Sequence, residues 1–368
     1  MKRIILAVLL CVCLLAGLSA CGGDGGLANI SLVGEYTRDL EGTTLNVRNW
    51  GEYIAEDTRI FHTCRAFQAL TGIKVNYTNL NTNEELYATL AGGGVHYDVI
   101  FPSDYLIQRL IAEGRLRPLD YGNIPNYSYI PEEFRNLYYD PGNVYSVPYT
   151  CGTTGLIYNE DLVDTPPDSW AVLWDPQYAG QILQFSSPRE AFGAAQFLLG
   201  QDVNTLNEAD WRAAADKLKA QAPLLQAYVA DEIYNIMGGG NAAVAPYYLG
   251  DYLTMIADTD VPLGFAYPKE GTNFFYDAVC IPSDAQNVEA AEMFINFLLE
   301  PDVALANAEV TMYAAPHSAV LENPDYTLRD NPYLYPAPGS LPPIQYYENL
   351  PQHILTLMNN LWTEVKQS

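Results

Sequence analysis

The feature that most constrains this chain is the alternation of two hydrophobic periods after residue 44. Leu45, Val47 and Asn49 repeat every second residue up to Trp50, which predicts a short strand. Asp57 then precedes apolar residues at Ile60, Phe61, Cys64, Phe67 and Leu70, closed by Gly72, the spacing and stop of a helix. Ile73, Val75 and Tyr77 alternate again. A helix over about 83–91 ends at Gly92-Gly93-Gly94, and 97–101 reads as a buried strand. Pro102-Ser103-Asp104-Tyr105 leads into a helix carrying Leu106, Ile107, Leu110 and Ile111. Three strand–helix units in succession predict an α/β fold, a parallel sheet with helices on its faces. Ligands of such sheets sit beyond the carboxyl ends of the strands, where Trp50-Gly51-Glu52-Tyr53 and residues 102–105 fall.

The rest of the chain is more helical and more aromatic. A helix is expected from Asn207, and a strand over 242–245 after Gly238-Gly239-Gly240. Pro246-Tyr247-Tyr248-Leu249-Gly250-Asp251 follows, then a strand over 278–282 and an amphipathic helix over 288–299 stopped by Pro301. Residues 324–343, rich in Pro and Tyr, read as an ordered surface crossing, and 354–365 as a last helix.

Charge narrows the function. The 368 residues hold 18 Lys and Arg against 44 Asp and Glu, a formal charge of −26. Nucleic-acid binding needs a basic footprint that this chain lacks, and a partner drawn by its field is a cation. Only 17% of residues are charged, so this is no disordered acidic tail. His62, His96, His317 and His353 share no metal-binding spacing, and there is neither a GxSxG elbow nor a P-loop lysine. No catalytic residue, metal or cofactor is expected. Glycoside hydrolysis asks only for two carboxylates, so an extracytoplasmic glycan hydrolase stays open as the enzyme alternative.

At the amino terminus Lys2 and Arg3 precede an apolar run from Ile4 to Leu18, too short to span a bilayer as a helix. With the small-residue end at Ala20 this predicts a signal peptide over 1–20. Leu18-Ser19-Ala20-Cys21 resembles the bacterial lipobox, which implies lipidation of Cys21 and a membrane anchor. The glycines at 22, 23, 25 and 26 open a flexible tether expected over 21–43. Cys64, Cys151 and Cys280 remain, either one disulfide and a free thiol or three buried thiols.

Longer stretches carry a family resemblance. Asn49-Trp50-Gly51-Glu52-Tyr53 resembles the Asn-Trp-x-Asp/Glu-Tyr element of the spermidine/putrescine-binding, type II solute-binding proteins of ABC transporters. Gly72-Ile73-Lys74-Val75, Tyr97 to Ser103, Tyr145 to Tyr149, Ser169 to Trp174 and Ser187-Pro188-Arg189-Glu190 follow in the family's order. Ala266-Tyr267-Pro268, Asp277 and Asn296 to Ala304 complete the set, so the resemblance covers about 44–350.

The resemblance implies a two-lobed type II fold, each lobe a mainly parallel sheet flanked by helices, with a ligand cleft between lobes. The expected division is 44–150 plus 277–321 for lobe 1 and 151–276 plus 322–368 for lobe 2. It implies aromatic walls at Trp50, Tyr53, Tyr105 and Tyr313, with Phe275 and either Tyr247 or Tyr248 where relatives commonly carry Trp. The implied polar set is Glu52, Glu190 and Asp277 with Ser103, and Tyr347 or Glu348 lies near a further contact. Ser187 stands where spermidine-binding relatives often carry Asp, which favours putrescine unless Asp104 or Asp251 compensates. The expected partners are a polyamine and an ABC permease, with the chain a monomer facing the periplasm or cell exterior. A receptor for another organic cation or a neutral solute, and a polyamine sensor, are the alternatives among binding proteins.

Overall fold

A computed structural model of the chain describes residues 23–57 and 61–368. The expected signal peptide, Cys21 and Ile60 lie outside the described residues. In chain order the elements are β1 (Thr44–Trp50), β2 (Glu56–Asp57), β3 (Phe61–His62), α1 (Thr63–Thr71), β4 (Lys74–Leu80), α2 (Asn83–Gly92), β5 (Val99–Ile100) and α3 (Asp104–Ala112). Then come β6 (Ser146–Asn159), β7 (Ile182–Phe185), α4 (Pro188–Leu198), α5 (Glu208–Gln221), β8 (Leu225–Val229), α6 (Glu232–Met237), β9 (Val244–Tyr248) and α7 (Leu249–Asp258). The chain ends with β10 (Leu263–Ala266), β11 (Thr272–Cys280), α8 (Val288–Leu298), α9 (Pro301–Thr311), α10 (Ser318–Leu321), β12 (Ile344–Gln345) and α11 (Gln352–Lys366).

Among the described residues one ten-stranded sheet runs β4-β1-β5-β11-β6-β9-β7-β8, with β10 on β6 and β12 on β11. Its two ends are parallel: β4, β1 and β5 at one end, as strand–helix alternation predicts, and β9, β7 and β8 at the other, as the resemblance implies. The antiparallel pair β6 and β11 joins them, from Phe274 against Thr153 to Cys280 against Ser146. The two parallel sets that the resemblance implies, one to each lobe, are thus hydrogen-bonded into one continuous sheet through β6 and β11. Both long strands cross the boundaries expected near 150 and 276.

The apolar interior gathers on either side of that pair. Leu45, Val47, Phe67, Phe101, Phe294 and Phe297 pack together in the first region. Leu183, Phe192, Trp211, Met237 and Trp362 pack together in the second.

Several elements differ from the sequence reading. The helix expected from Asp57 begins at Thr63, because the His62 and Thr63 amides donate outside it, to Gly25 O at 2.8 Å and Ala55 O at 2.9 Å. Phe61 therefore lies in a strand and is buried. Pro301 opens α9 rather than merely stopping α8, since the first helical position needs no amide donor. The strand expected over 242–245 is β9, 244–248. Pro246 is tolerated there because β7 pairs with β9 only at Val244. The strand expected at 278–282 is the end of the longer β11.

The segment expected as a tether is docked through much of its length. Leu27, Ile30, Leu32, Tyr36 and Leu40 pack on the first region. The buried Glu300 carboxylate accepts from Val33 N (2.7 Å), Gly34 N (2.9 Å) and Tyr36 OH (2.6 Å). Cys64, Cys151 and Cys280 are free and buried, the second of the two cysteine readings.

Candidate functional site

Six parallel strands end at one cleft, and the residues that follow them line it. Trp50 ends β1 and Tyr53 follows it, Asn83 opens α2 after β4, and Ser103 and Tyr105 stand at the start of α3 after β5. Ser187 and Glu190 follow β7, Asp231 follows β8, and Tyr247, Tyr248 and Asp251 belong to the end of β9 and the start of α7. Asn273, Phe275 and Asp277 enter from β11, Tyr313 from beyond α9 and Tyr347 from beyond β12. The enclosed space, mouth included, is about 800 Å³.

Local structure fixes these side chains. Buried Asn49 accepts from Trp50 N at 2.8 Å, and Tyr149 OH donates to Tyr53 O at 2.9 Å, pinning the turn after β1. Asn83 grips Ser103 twice, donating to its Oγ (3.0 Å) and accepting from its amide (3.1 Å). Helix α7 carries Gly250 where a Cβ would stand 2.4 Å from the Tyr313 ring, so a glycine is needed for the ring to lie against the first turn. Tyr53 and Tyr313 meet edge to face at 5.0 Å, and Tyr248 meets Phe275 at 5.5 Å.

Three carboxylates set the electrostatics. Asp277 Oδ2 accepts from Tyr53 OH at 2.6 Å, while its Oδ1 is buried without a protein partner. Asp251 accepts from Tyr234 OH at 2.5 Å and from Tyr313 OH. Glu190 accepts from Tyr347 OH at 3.1 Å.

Among the described residues, none of these three acids takes part in an ion pair with Lys or Arg. Arg189 is the nearest candidate, but its guanidinium donates to Val203 O (2.7 Å) and Asn204 Oδ1 (2.6 Å). Burial pushes the Asp277 carboxyl up to about 6, partly offset by the nearby Ser103 hydroxyl and the Tyr53 hydrogen bond, with the nearby Asp251 charge adding to the rise. Burial likewise pushes Asp251 up to about 6 against its two tyrosine donors. Glu190 is pushed up to about 8, first by burial, with Tyr347 and Arg189 opposing.

Buried carboxylates without a counter-cation, set among aromatic faces, suit an elongated organic cation. Its charged ends find acids and ring faces, and its apolar stem lies between rings.

The family model for bacterial extracellular solute-binding proteins matches residues 62–333. The chain belongs to that family. Among relatives of this solute-binding protein, the putrescine-binding periplasmic protein SpuD of Pseudomonas aeruginosa is 31% identical over 340 residues, 88% of this chain and 91% of that protein. The spermidine/putrescine-binding periplasmic protein of Escherichia coli is 33% identical over 300 residues, 80% of this chain and 84% of that protein. A putative spermidine/putrescine ABC transporter structure from Listeria monocytogenes superposes with a TM-score of 0.83 at 36% identity, covering 88% of this chain and 99% of that one.

The cleft of this solute-binding protein brings together Trp50, Tyr53, Ser103, Tyr105, Glu190, Tyr247, Tyr248, Phe275, Asp277 and Tyr313 from the sequence reading. Glu52 stands apart. Its φ of 51° lies in the left-handed region, and the residue is exposed and does not line the cleft. Of the open pairs, Tyr347 lines the cleft and Glu348 does not, while Asp104 and Asp251 both do. Asp104 is already committed, accepting from Tyr138 OH (2.6 Å), Tyr105 N (2.7 Å) and Tyr276 N (3.1 Å). Asp231 and Asn273 were missed. Asp231 carried no periodic signal, but Asn273 lies two and four residues before Phe275 and Asp277, on the same face of β11.

Proposed function

We propose that this solute-binding protein captures a polyamine, putrescine or spermidine, outside the cytoplasmic membrane and delivers it to an ABC permease. Export by residues 1–20 and lipidation of Cys21 would hold it at the membrane, and it performs no covalent step. The observation that carries the reading is the set of three desolvated acids, Glu190, Asp251 and Asp277, without a basic partner among the described residues. A buried carboxylate without a cation is costly, and an ammonium group removes that cost. Charge-assisted hydrogen bonds contribute roughly 1.5–3 kcal/mol each. A desolvated cation over an aromatic face adds about 2 kcal/mol. Two ammonium sites, each with one such bond and one ring face, contribute roughly 7–10 kcal/mol before ordering costs, and further hydrogen bonds at each site bring micromolar affinity, about −8 kcal/mol, within reach.

The relatives named as putrescine- and spermidine-binding support the same substrate class. Asp251 supplies a carboxylate despite Ser187, so two ammonium groups still find acids. The two packed regions are read as the lobes, and a ligand touching both favours their closed arrangement. Melting the protein with putrescine, spermidine or a neutral disaccharide tests the class. An amine at a hundredfold excess over its Kd should stabilise by about 2.7 kcal/mol. Stabilisation by the disaccharide alone would refute the reading.

A further inference from the structure

A second cavity, of about 390 Å³, lies behind Tyr105. Glu84 and Arg109 enter it from the first half of the chain, and Arg189 enters it from the second. Glu84 sits in the first turn of α2. Its Oε1 accepts from Tyr105 OH at 3.2 Å, and its Oε2 is buried without a protein partner. The Tyr105 ring meets Tyr347 edge-on at 6.0 Å and 90°. Tyr347 donates to Glu190, and the Arg189 guanidinium lies 4.4 Å from the centre of its ring. Arg189 Nε is also buried without a partner.

We infer that Glu84 is a positioning residue for the cleft: through Tyr105 and Tyr347 it sets Glu190 for an ammonium group. The inference rests on the polyamine reading. An ammonium at Glu190 offsets the repulsion between that acid and Glu84, which Arg189 and, at Glu84, Arg109 relieve only in part. Arg189 attracts both acids, and the two acids repel each other. The Tyr105–Tyr347 contact joins a residue of α3 to one beyond β12, so the donor to Glu190, already held by Arg189 on its own side, is braced from the first half of the chain as well. Glu84 thus acts on the ligand without touching it.

A double-mutant cycle read by calorimetric titration with putrescine tests this. Glu84→Gln keeps the acceptor for Tyr105 and removes the charge. It should weaken binding roughly three- to tenfold in the otherwise native protein, and less than twofold in the Glu190→Gln background. Tyr105→Phe cuts the link while keeping the ring and the Glu84 charge, so it should weaken binding in its own right, again by less than twofold in the Glu190→Gln background, and carries the test if Glu84→Gln does not fold. Native affinity in Glu84→Gln, or equal losses in both backgrounds, would overturn the inference alone. A wild-type protein that binds neither putrescine nor spermidine would overturn it together with the polyamine reading.

Discussion

At the scale of single residues, Asp277 concentrates the physics of the cleft. Its carboxyl is held near 6 by burial, well above an ordinary aspartate, so the folded protein keeps a proton there that the unfolded chain releases near pH 4. Stability of the ligand-free protein should therefore fall as pH rises from about 4 through 6, and Glu190, near 8, extends the fall upward. Asp277→Asn removes its share. Melts at pH 5, 6, 7 and 8 should show the variant gaining on the wild type by roughly 1–3 kcal/mol across that range. A constant difference would exclude the titration. Polyamine affinity has the opposite slope, rising with pH as the acids ionise.

These residues were not equally legible in the sequence. Trp50, Tyr53, Glu190 and Asp277 sit in short collinear motifs, so their roles could be carried across. Glu52 shares its motif, but the left-handed backbone at that position turns it outward, which no residue pattern encodes. Asp251 had a readable signal, three residues after Tyr248 in the first turn of a helix. Tyr347 had only its neighbourhood, a Pro- and Tyr-rich stretch without periodicity.

At the scale of elements, the cleft depends on close approach between α4 and the chain beyond β12. Gly193 lies mid-helix, where Ala would ordinarily stabilise by about 0.8–1 kcal/mol. A Cβ there would stand 1.9 Å from the Tyr347 hydroxyl, which donates to Glu190. Gly193→Ala should thus keep the helical circular dichroism and lower polyamine affinity at least tenfold, roughly the 1.4 kcal/mol worth of a charge-assisted hydrogen bond. Unchanged affinity would show that Tyr347 does not orient Glu190.

Periodicity located the elements from β1 to α3, apart from β2 and β3, and later α5, β9, the end of β11, α8 and α11, because amphipathic faces reveal themselves locally. It failed where distant partners decide. Phe61 is extended because Gly25 and Ala55 take the amide bonds that a helix would have used, and residues 27–40 are docked because Glu300 caps them from far along the chain.

At the scale of the whole molecule, β6 and β11 tie two packed regions into one sheet, and the cleft lies where the carboxyl ends of both parallel sets converge. The first parallel set was readable from strand–helix alternation, whereas the second was only implied by the family resemblance, since β7 and β8 carried no reading of their own. The antiparallel join was not, because pairing between residues 146–159 and 272–280 is set by the packing of both regions together. The acidic surface draws polycations toward this cleft, and the unpaired carboxylates inside it hold them. Those buried acids, with no basic partner among the described residues, bind a polyamine. Calorimetric titration with putrescine and spermidine in two buffers of different ionisation enthalpy, on the wild type and on Asp277→Ala, tests it most directly. The account predicts micromolar or tighter binding of one amine with protons released on binding, and loss of that binding in the variant. No heat from either amine at millimolar concentration, or binding undiminished by Asp277→Ala, would contradict it.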